Sequence, residues 1–101
     1  MSYSIEYHNK VYDDIKKIKF TKKQLNKLKK KIELISMNPF SKSLGGLGEP
    51  LHGNLKGFLK FRFLDDYRVV YKLCRDKNTM KIIIVGMRKN LSVYESAANR
   101  K

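Results

Sequence analysis

Phe58-Leu59-Lys60-Phe61-Arg62-Phe63, followed after Leu64-Asp65-Asp66 by Tyr67-Arg68-Val69-Val70-Tyr71, decides the fold of this chain. Apolar side chains alternate with cations. This period of two predicts a two-stranded ribbon with one face on a core and the other carrying Lys60, Arg62 and Arg68. If Leu59, Phe61 and Phe63 share the core face with Tyr67, Val69 and Tyr71, residue 63 must sit opposite residue 67. The connection is then the odd-length Leu64-Asp65-Asp66, and Arg62 faces Arg68. A two-residue Asp65-Asp66 turn would instead bury Arg68 without a partner, a costly arrangement for a charge. Three like charges on one exposed patch repel each other unless an anion lies over them, and a phosphate backbone is the most economical such anion.

Outward from the ribbon, Met80 to Met87 reads as a further strand after the turn-like Arg75-Asp76-Lys77-Asn78-Thr79, and is apolar on both sides. If Arg88 leaves it on the Arg68 side, four cations converge. Tyr3 to Tyr7 alternates and reads as a short strand. Val11, Ile15 and Ile18 then recur at helical spacing up to about Lys19. Thr21-Lys22-Lys23-Gln24 has the form of a capping box that opens a second helix, with Leu25, Leu28, Ile32 and Ile35 as its apolar stripe and Asn38-Pro39 as its stop. The two form a helical hairpin. Phe40 to Pro50, with Gly45, Gly46 and Gly48, reads as an irregular loop; it lacks the lysine and hydroxyl spacing of a phosphate-binding loop.

The composition bounds the function. With 101 residues, 42% of them hydrophobic, the chain is expected to form one domain, 1–101, with a core of its own. Lys+Arg 23 against Asp+Glu 9 gives +14, a footprint for nucleic acid or another polyanion. The N-terminus has no apolar signal core and no run is long enough to span a bilayer, so the expected location is the cytoplasm, without membrane contact. The lone Cys74 excludes an internal disulfide and reads as a small buried hydrophobe. No metal or cofactor is expected: Asp65-Asp66 lies at a turn tip, and His8 and His52 are far apart.

Such a cation cluster has a specific use on RNA. Cleavage by the 2′-hydroxyl needs a base for its proton, cations for the charge that grows on phosphorus, and an acid for the departing 5′-oxygen. Lys60, Arg62, Arg68 and Arg88 meet the second need. Crowding by three arginines also disfavours the ammonium form of Lys60, which suits it as a base. Tyr94, close behind Arg88, is a candidate for stacking on a base or donating a proton. Lys22, Lys23, Lys27, Lys30 and Lys31 on the second helix, with Lys56, read as an exposed basic surface for RNA or ribosome contact.

The order strand, helical hairpin, glycine loop, then Glu49-Pro50-Leu51, Lys60-x-Arg62, Asp66-Tyr67-Arg68-Val69-Val70-Tyr71 and Val85-Gly86-Met87-Arg88 to Tyr94 resembles the RelE/ParE toxin superfamily. The resemblance covers essentially the whole chain. The lysine-x-basic strand with Arg88 and Tyr94 looks more specifically like the RelE branch, whose members cut mRNA in the ribosomal A site. Lys60, Arg62, Arg68, Arg88 and Tyr94 fall on positions that carry catalysis there. RelE proper has a second lysine where Arg62 stands, and arginine stays protonated near neutral pH, so it is no base. Glu49-Pro50-Leu51 looks instead like the YoeB and YafQ branches, in which the residue before Pro-Leu is a glutamate or histidine of the active site. Those branches end in a histidine or a His-Tyr pair, whereas this chain continues to Lys101. Glu49 is thus a rival base, and its bland reading is a loop carboxylate paired with a nearby lysine.

The expected fold is α+β: an antiparallel sheet of about four strands packed against the N-terminal helical hairpin, with a short C-terminal helix around Leu91 to Ala98. The resemblance implies the toxin of a type II toxin–antitoxin system, a metal-independent, ribosome-dependent mRNA endonuclease that inhibits translation. Its implied partners are a cognate antitoxin, mRNA and the small-subunit rRNA of the ribosome. The alternatives are a ParE-like DNA gyrase inhibitor and a non-catalytic RNA-binding module.

Overall fold

The ribbon forms in the expected register. In the computed structural model, which describes residues 3–88 and 92–100, strands β3 (Phe58–Phe63) and β4 (Tyr67–Cys74) pair antiparallel, with Phe63 opposite Tyr67 and Arg62 opposite Arg68. Leu64 and Asp65 both take left-handed backbone angles, φ 51 and 58, to close the connection. β4 pairs antiparallel with β5 (Thr79–Met87), after a single helical turn at Arg75–Lys77 and a left-handed Asn78.

The helices follow their sequence signals. Helix α1 (Val11–Ile18) stops at a left-handed Lys19, and α2 (Lys22–Met37) opens on Thr21. There the Thr21 hydroxyl accepts from the Gln24 N–H at 3.1 Å while the Gln24 amide oxygen accepts from the Thr21 N–H at 2.9 Å. Val11, Leu28, Ile32 and Ile35 pack on Leu59, Phe61, Phe63, Val69 and Tyr71 in one buried cluster.

The α+β class is as expected, while the make-up of the sheet and its cationic face need correction. The sheet has five strands in the order β1-β5-β4-β3-β2, and it is mixed rather than antiparallel. β1 (Ser4–Tyr7) lies parallel to β5, because the chain leaves β1 through α1 and returns to its side only after the rest of the sheet is built. β2 is the two-residue Glu49–Pro50 paired with Leu59 and Lys60, inside the segment read as a loop.

The other correction concerns the cationic face, which is not bare. Helix α3 (Ser92–Asn99) covers it, and Leu55, Val70, Ile83, Ile84, Val93 and Ala97 bury one another there with Phe58 and Tyr94 partly enclosed. The expected helix start at Leu91 lies outside the described residues, as do Met1, Ser2, Lys89, Asn90 and Lys101. The β4–β5 register shifts between Val70 and Tyr71, so that Val70 pairs with Ile84 and Tyr71 with Ile82. Through this bulge Ile83 and Ile84 both meet the α3 side while Ile82 and Val85 meet the α1 and α2 side, so β5 is apolar on both faces because both are covered. Cys74 is half-buried rather than buried.

Tyr71 ties the Phe40–Pro50 segment to the sheet. Its hydroxyl donates to the Pro39 carbonyl at 2.8 Å, and a Cβ on Gly48 would overlap that hydroxyl and Leu59. Replacing Tyr71 by Phe leaves a buried carbonyl unpaired and is expected to cost about 1–3 kcal/mol in urea unfolding. Burial also pushes the Tyr71 phenol above its ordinary 10.0. Its contribution to stability is complete below the unfolded value and is lost as pH rises from there toward the folded one. The urea midpoint should therefore decline above pH 10, more steeply for the wild type than for Tyr71→Phe.

Candidate active site

Lys60 stands in the middle of β3, opposite Glu49 on one side and Val70 on the other. α3 brings Tyr94 over it: the Lys60 Nζ donates to the Tyr94 hydroxyl at 3.2 Å and lies 5.3 Å from the ring centroid. Both residues are half-buried, so the side-chain nitrogen is held between a hydroxyl and an aromatic face where water reaches it only in part. The contact joins residues 34 positions apart. Nothing but the packing of α3 on the sheet brings them together.

Arg68 differs most from expectation. Its strand parity is as read, yet the residue is only 5% exposed, on the face of β4 whose next residue on that side, Val70, is buried with Leu55 and Val93. It is not left unpaired. Nη1 donates to the Asp65 carbonyl and to the Tyr67 carbonyl, both at 2.8 Å, which ties the β3–β4 connection to its own strand. Both bonds use one of three guanidinium nitrogens, so the planar head is fixed while other N–H groups stay outside this tie.

Arg62 is exposed and directly opposite Arg68. Arg88 is exposed just beyond β5, and its N–H donates to the Asp66 carbonyl at 2.9 Å, so the ladder continues one step past Met87. Gly86 pairs with Arg68, and strand alternation puts residue 88 on the side of residue 86. Arg62, Arg68 and Arg88 thus share one end of the sheet, by the β3–β4 turn, and Lys60 lies two residues inward.

Glu49 belongs to a different group. Its carboxylate pairs with Lys42 at 3.5 Å in an exposed contact, the bland arrangement of a loop carboxylate. Together with Lys31, Lys42, Leu34, Phe61 and Arg62 it lines a cleft of about 400 Å³ at the β2 edge of the sheet. Arg62 is the residue common to this cleft and to the cationic end of the sheet. Of the expected basic surface, Lys22, Lys23, Lys27 and Lys30 are exposed along α2, Lys31 is half-buried at the cleft, and Lys56 is exposed beside buried Leu55.

Sequence reasoning missed Asp14 and Arg100. The Asp14 carboxylate takes two bonds of 2.7 Å from the Arg100 guanidinium, a pair 86 positions apart for which no local pattern exists. Lys42 was also missed, though it follows Ser41 in the loop whose carboxylate it meets.

Residues 5–91 match the family described as ParE toxin of type II toxin–antitoxin system, parDE. The chain belongs to this toxin family. Its fold is that of the wider RelE/ParE superfamily. A mutant of the Escherichia coli toxin RelE in the free state superposes with a TM-score of 0.77 at 23% identity, covering 99% of this chain and 98% of that one. The intact E. coli RelBE toxin–antitoxin complex gives 0.69 at 20% identity over 87% of this chain and 99% of the other. A mutant of E. coli YafQ gives 0.65 at 27% identity over 88% and 97%. No curated protein matches the chain significantly. The protein is a type II toxin of the RelE/ParE group, and no helix among its described residues is long and apolar enough to cross a membrane.

Proposed function

We propose that this toxin is a ribosome-dependent mRNA endonuclease that inhibits translation. The observation that carries the reading is the Lys60–Tyr94 contact, 3.2 Å between Nζ and hydroxyl, placed beside the arginine end of the sheet. In the proposed reaction Lys60 is the general base, taking the proton of a 2′-hydroxyl whose oxygen attacks the adjoining phosphorus. The bond from phosphorus to the 5′-oxygen breaks, leaving a 2′,3′-cyclic phosphate, and the departing oxygen takes a proton from Tyr94 or from water. Arg62 and Arg88 meet the charge that grows on the non-bridging oxygens, and the fixed Arg68 head orients one of them. No step needs a metal or a cofactor.

A ribosome is required in this reading because the Lys60–Tyr94 contact is half-buried under α3 and the exposed cations beside it are Arg62 and Arg88, too few groups to hold an RNA strand in line. The decoding centre would hold the RNA in line for attack, a job of positioning that the protein's own shape leaves undone. The exposed lysines 22, 23, 27, 30 and 56 suit phosphates of the small-subunit rRNA. The RelBE complex pairs a related fold with its antitoxin, and a cognate antitoxin is the proposed partner here, acting in the cytoplasm.

A second reading, inhibition of DNA gyrase, is favoured by the name of the matching family. A gyrase poison has no use for a lysine held on a tyrosine at the cationic end of a sheet, and fold alone does not carry function. Expression in cells, with mRNA 5′ ends mapped and chromosomal breaks scored, separates the two. Discrete cuts within translated codons are expected, and DNA breaks with intact mRNA would replace this reading by the other.

A further inference from the structure

We infer that Asp14 and Arg100 are positioning residues that hold α3 so that Tyr94 lies on Lys60. The inference rests on reading the Lys60–Tyr94 site as the RNA-cleaving centre. α3 has eight residues, too few to be a stable helix on its own in water. It buries Val93 and Ala97 fully and Tyr94 and Ala98 in part, a small area for holding one helix in one orientation. Val93 seats directly on Gly86, where an added Cβ would come within 3.0 Å of it. That contact fixes the near end of the helix.

Arg100 fixes the far end. It follows α3 by one residue, with its N–H bonded to the carbonyls of Ser96 and Ala97. Nη1 and Nη2 each donate to an Asp14 oxygen at 2.7 Å, and Nη1 also donates to the Ile83 carbonyl at 2.9 Å. Asp14, on α1, accepts a further bond from the Val85 N–H at 3.2 Å. Both side chains are 12% exposed, and the fork geometry fixes direction as well as distance.

The backbone groups involved explain why the pair sits there. β1 covers β5 only from Thr79 to Ile82, which would leave the edge-facing groups of Ile83 and Val85 open. Asp14 and Arg100 saturate them in place of a strand. The latch thereby ties α1, the free edge of β5 and α3 together. Arg100 lies six residues from Tyr94, about 9 Å along a helix axis; a helix held at Val93 alone can still roll about that contact, and Tyr94, on a neighbouring face, rolls with it, so the Arg100 fork is what removes the roll.

The test compares Asp14→Asn, which keeps side-chain volume, with Arg100→Lys and Arg100→Ala. Nuclear Overhauser contacts between the Tyr94 ring and the Lys60 side chain are expected to weaken in all three, least in Arg100→Lys. Single-turnover cleavage on programmed ribosomes should fall about tenfold for Asp14→Asn, with half-saturating toxin concentration unchanged. In a Tyr94→Phe background the same substitution should change the rate less than twofold, since a residue acting through Tyr94 has nothing further to lose. Ile32→Val, which loosens the opposite core, serves as the control for stability alone and should leave both readouts unchanged.

Unchanged Tyr94–Lys60 contacts in Asp14→Asn would overturn the inference and leave the ribonuclease reading standing. So would an equal loss of rate with and without the Tyr94 hydroxyl. If Arg100→Ala fails to fold, Asp14→Asn and Arg100→Lys decide the matter by the same measures. A wild-type protein that cuts no RNA would sink the ribonuclease reading, while the magnetic-resonance arm would still show whether the latch positions Tyr94.

Discussion

Lys60→Ala is expected to reduce single-turnover mRNA cleavage on programmed ribosomes by roughly 10²–10⁴-fold, the range for loss of a general base, with little effect on folding. The side chain is half-buried and its described polar contact is the Tyr94 hydroxyl, so truncation removes chemistry rather than core. Glu49→Gln should do less. Its carboxylate is engaged with Lys42 at the β2 edge, whereas Lys60 occupies a strand centre with fixed neighbours on both sides and is the better-held group. Rates are compared at saturating ribosome and at fixed pH. A larger loss for Glu49→Gln than for Lys60→Ala would move the base to Glu49 and place the chemistry nearer the YoeB and YafQ type.

Arg68→Ala is expected to damage the fold as well as the activity. The guanidinium supplies two bonds of 2.8 Å to backbone carbonyls from a site only 5% exposed, and hydrogen bonds from charged donors contribute about 1.5–3 kcal/mol each at most. Some of that is recovered when water reaches the turn, so a net loss of roughly 2–4 kcal/mol in urea unfolding is expected. Arg68→Lys should recover part of the stability, because one ammonium cannot reproduce the planar head held between two carbonyls. Arg88→Ala, exposed and bonded only through its backbone N–H among the described contacts, should lose cleavage by about 10²–10³-fold while unfolding as the wild type does. An Arg68→Ala protein that unfolds at the wild-type urea midpoint would show that the tie to the turn contributes nothing.

What the sequence made legible was local. The capping box at Thr21, the helix stop near Lys19 and the odd β3–β4 connection each follow from residues within a few positions of one another. The parallel placement of β1 beside β5 joins residues about 75 apart in sequence, a pairing chosen by closure of the whole sheet. The cationic face was misread as bare because α3 shows a weak signal: Val93 and Ala97 bury little, and alanine marks no face by itself. One cue was present. Ile82, Ile83, Ile84 and Val85 in a row have no polar side, and a strand with two apolar faces needs cover on both.

The candidate site was legible to a similar degree. Lys60, Arg62, Arg68, Arg88 and Tyr94 could be named from alternation and from the superfamily resemblance, but Arg68's burial and its tie to the Asp65 and Tyr67 carbonyls could not. Glu49 and Lys60 are cross-strand partners, yet the Glu49 carboxylate pairs with Lys42 rather than with Lys60. The Asp14–Arg100 pair had no sequence signal, since each is one charge among 32% charged residues.

The central claim, cleavage of mRNA on the ribosome, is tested most directly by presenting one 5′-labelled mRNA to the purified toxin in two forms, free and bound in the decoding site of a programmed ribosome. A discrete cut within the decoding-site codon is expected at a rate at least about 10²-fold above that of the free RNA, because positioning supplies much of the catalysis. Equal rates on the two substrates, or no cut on either, would contradict it.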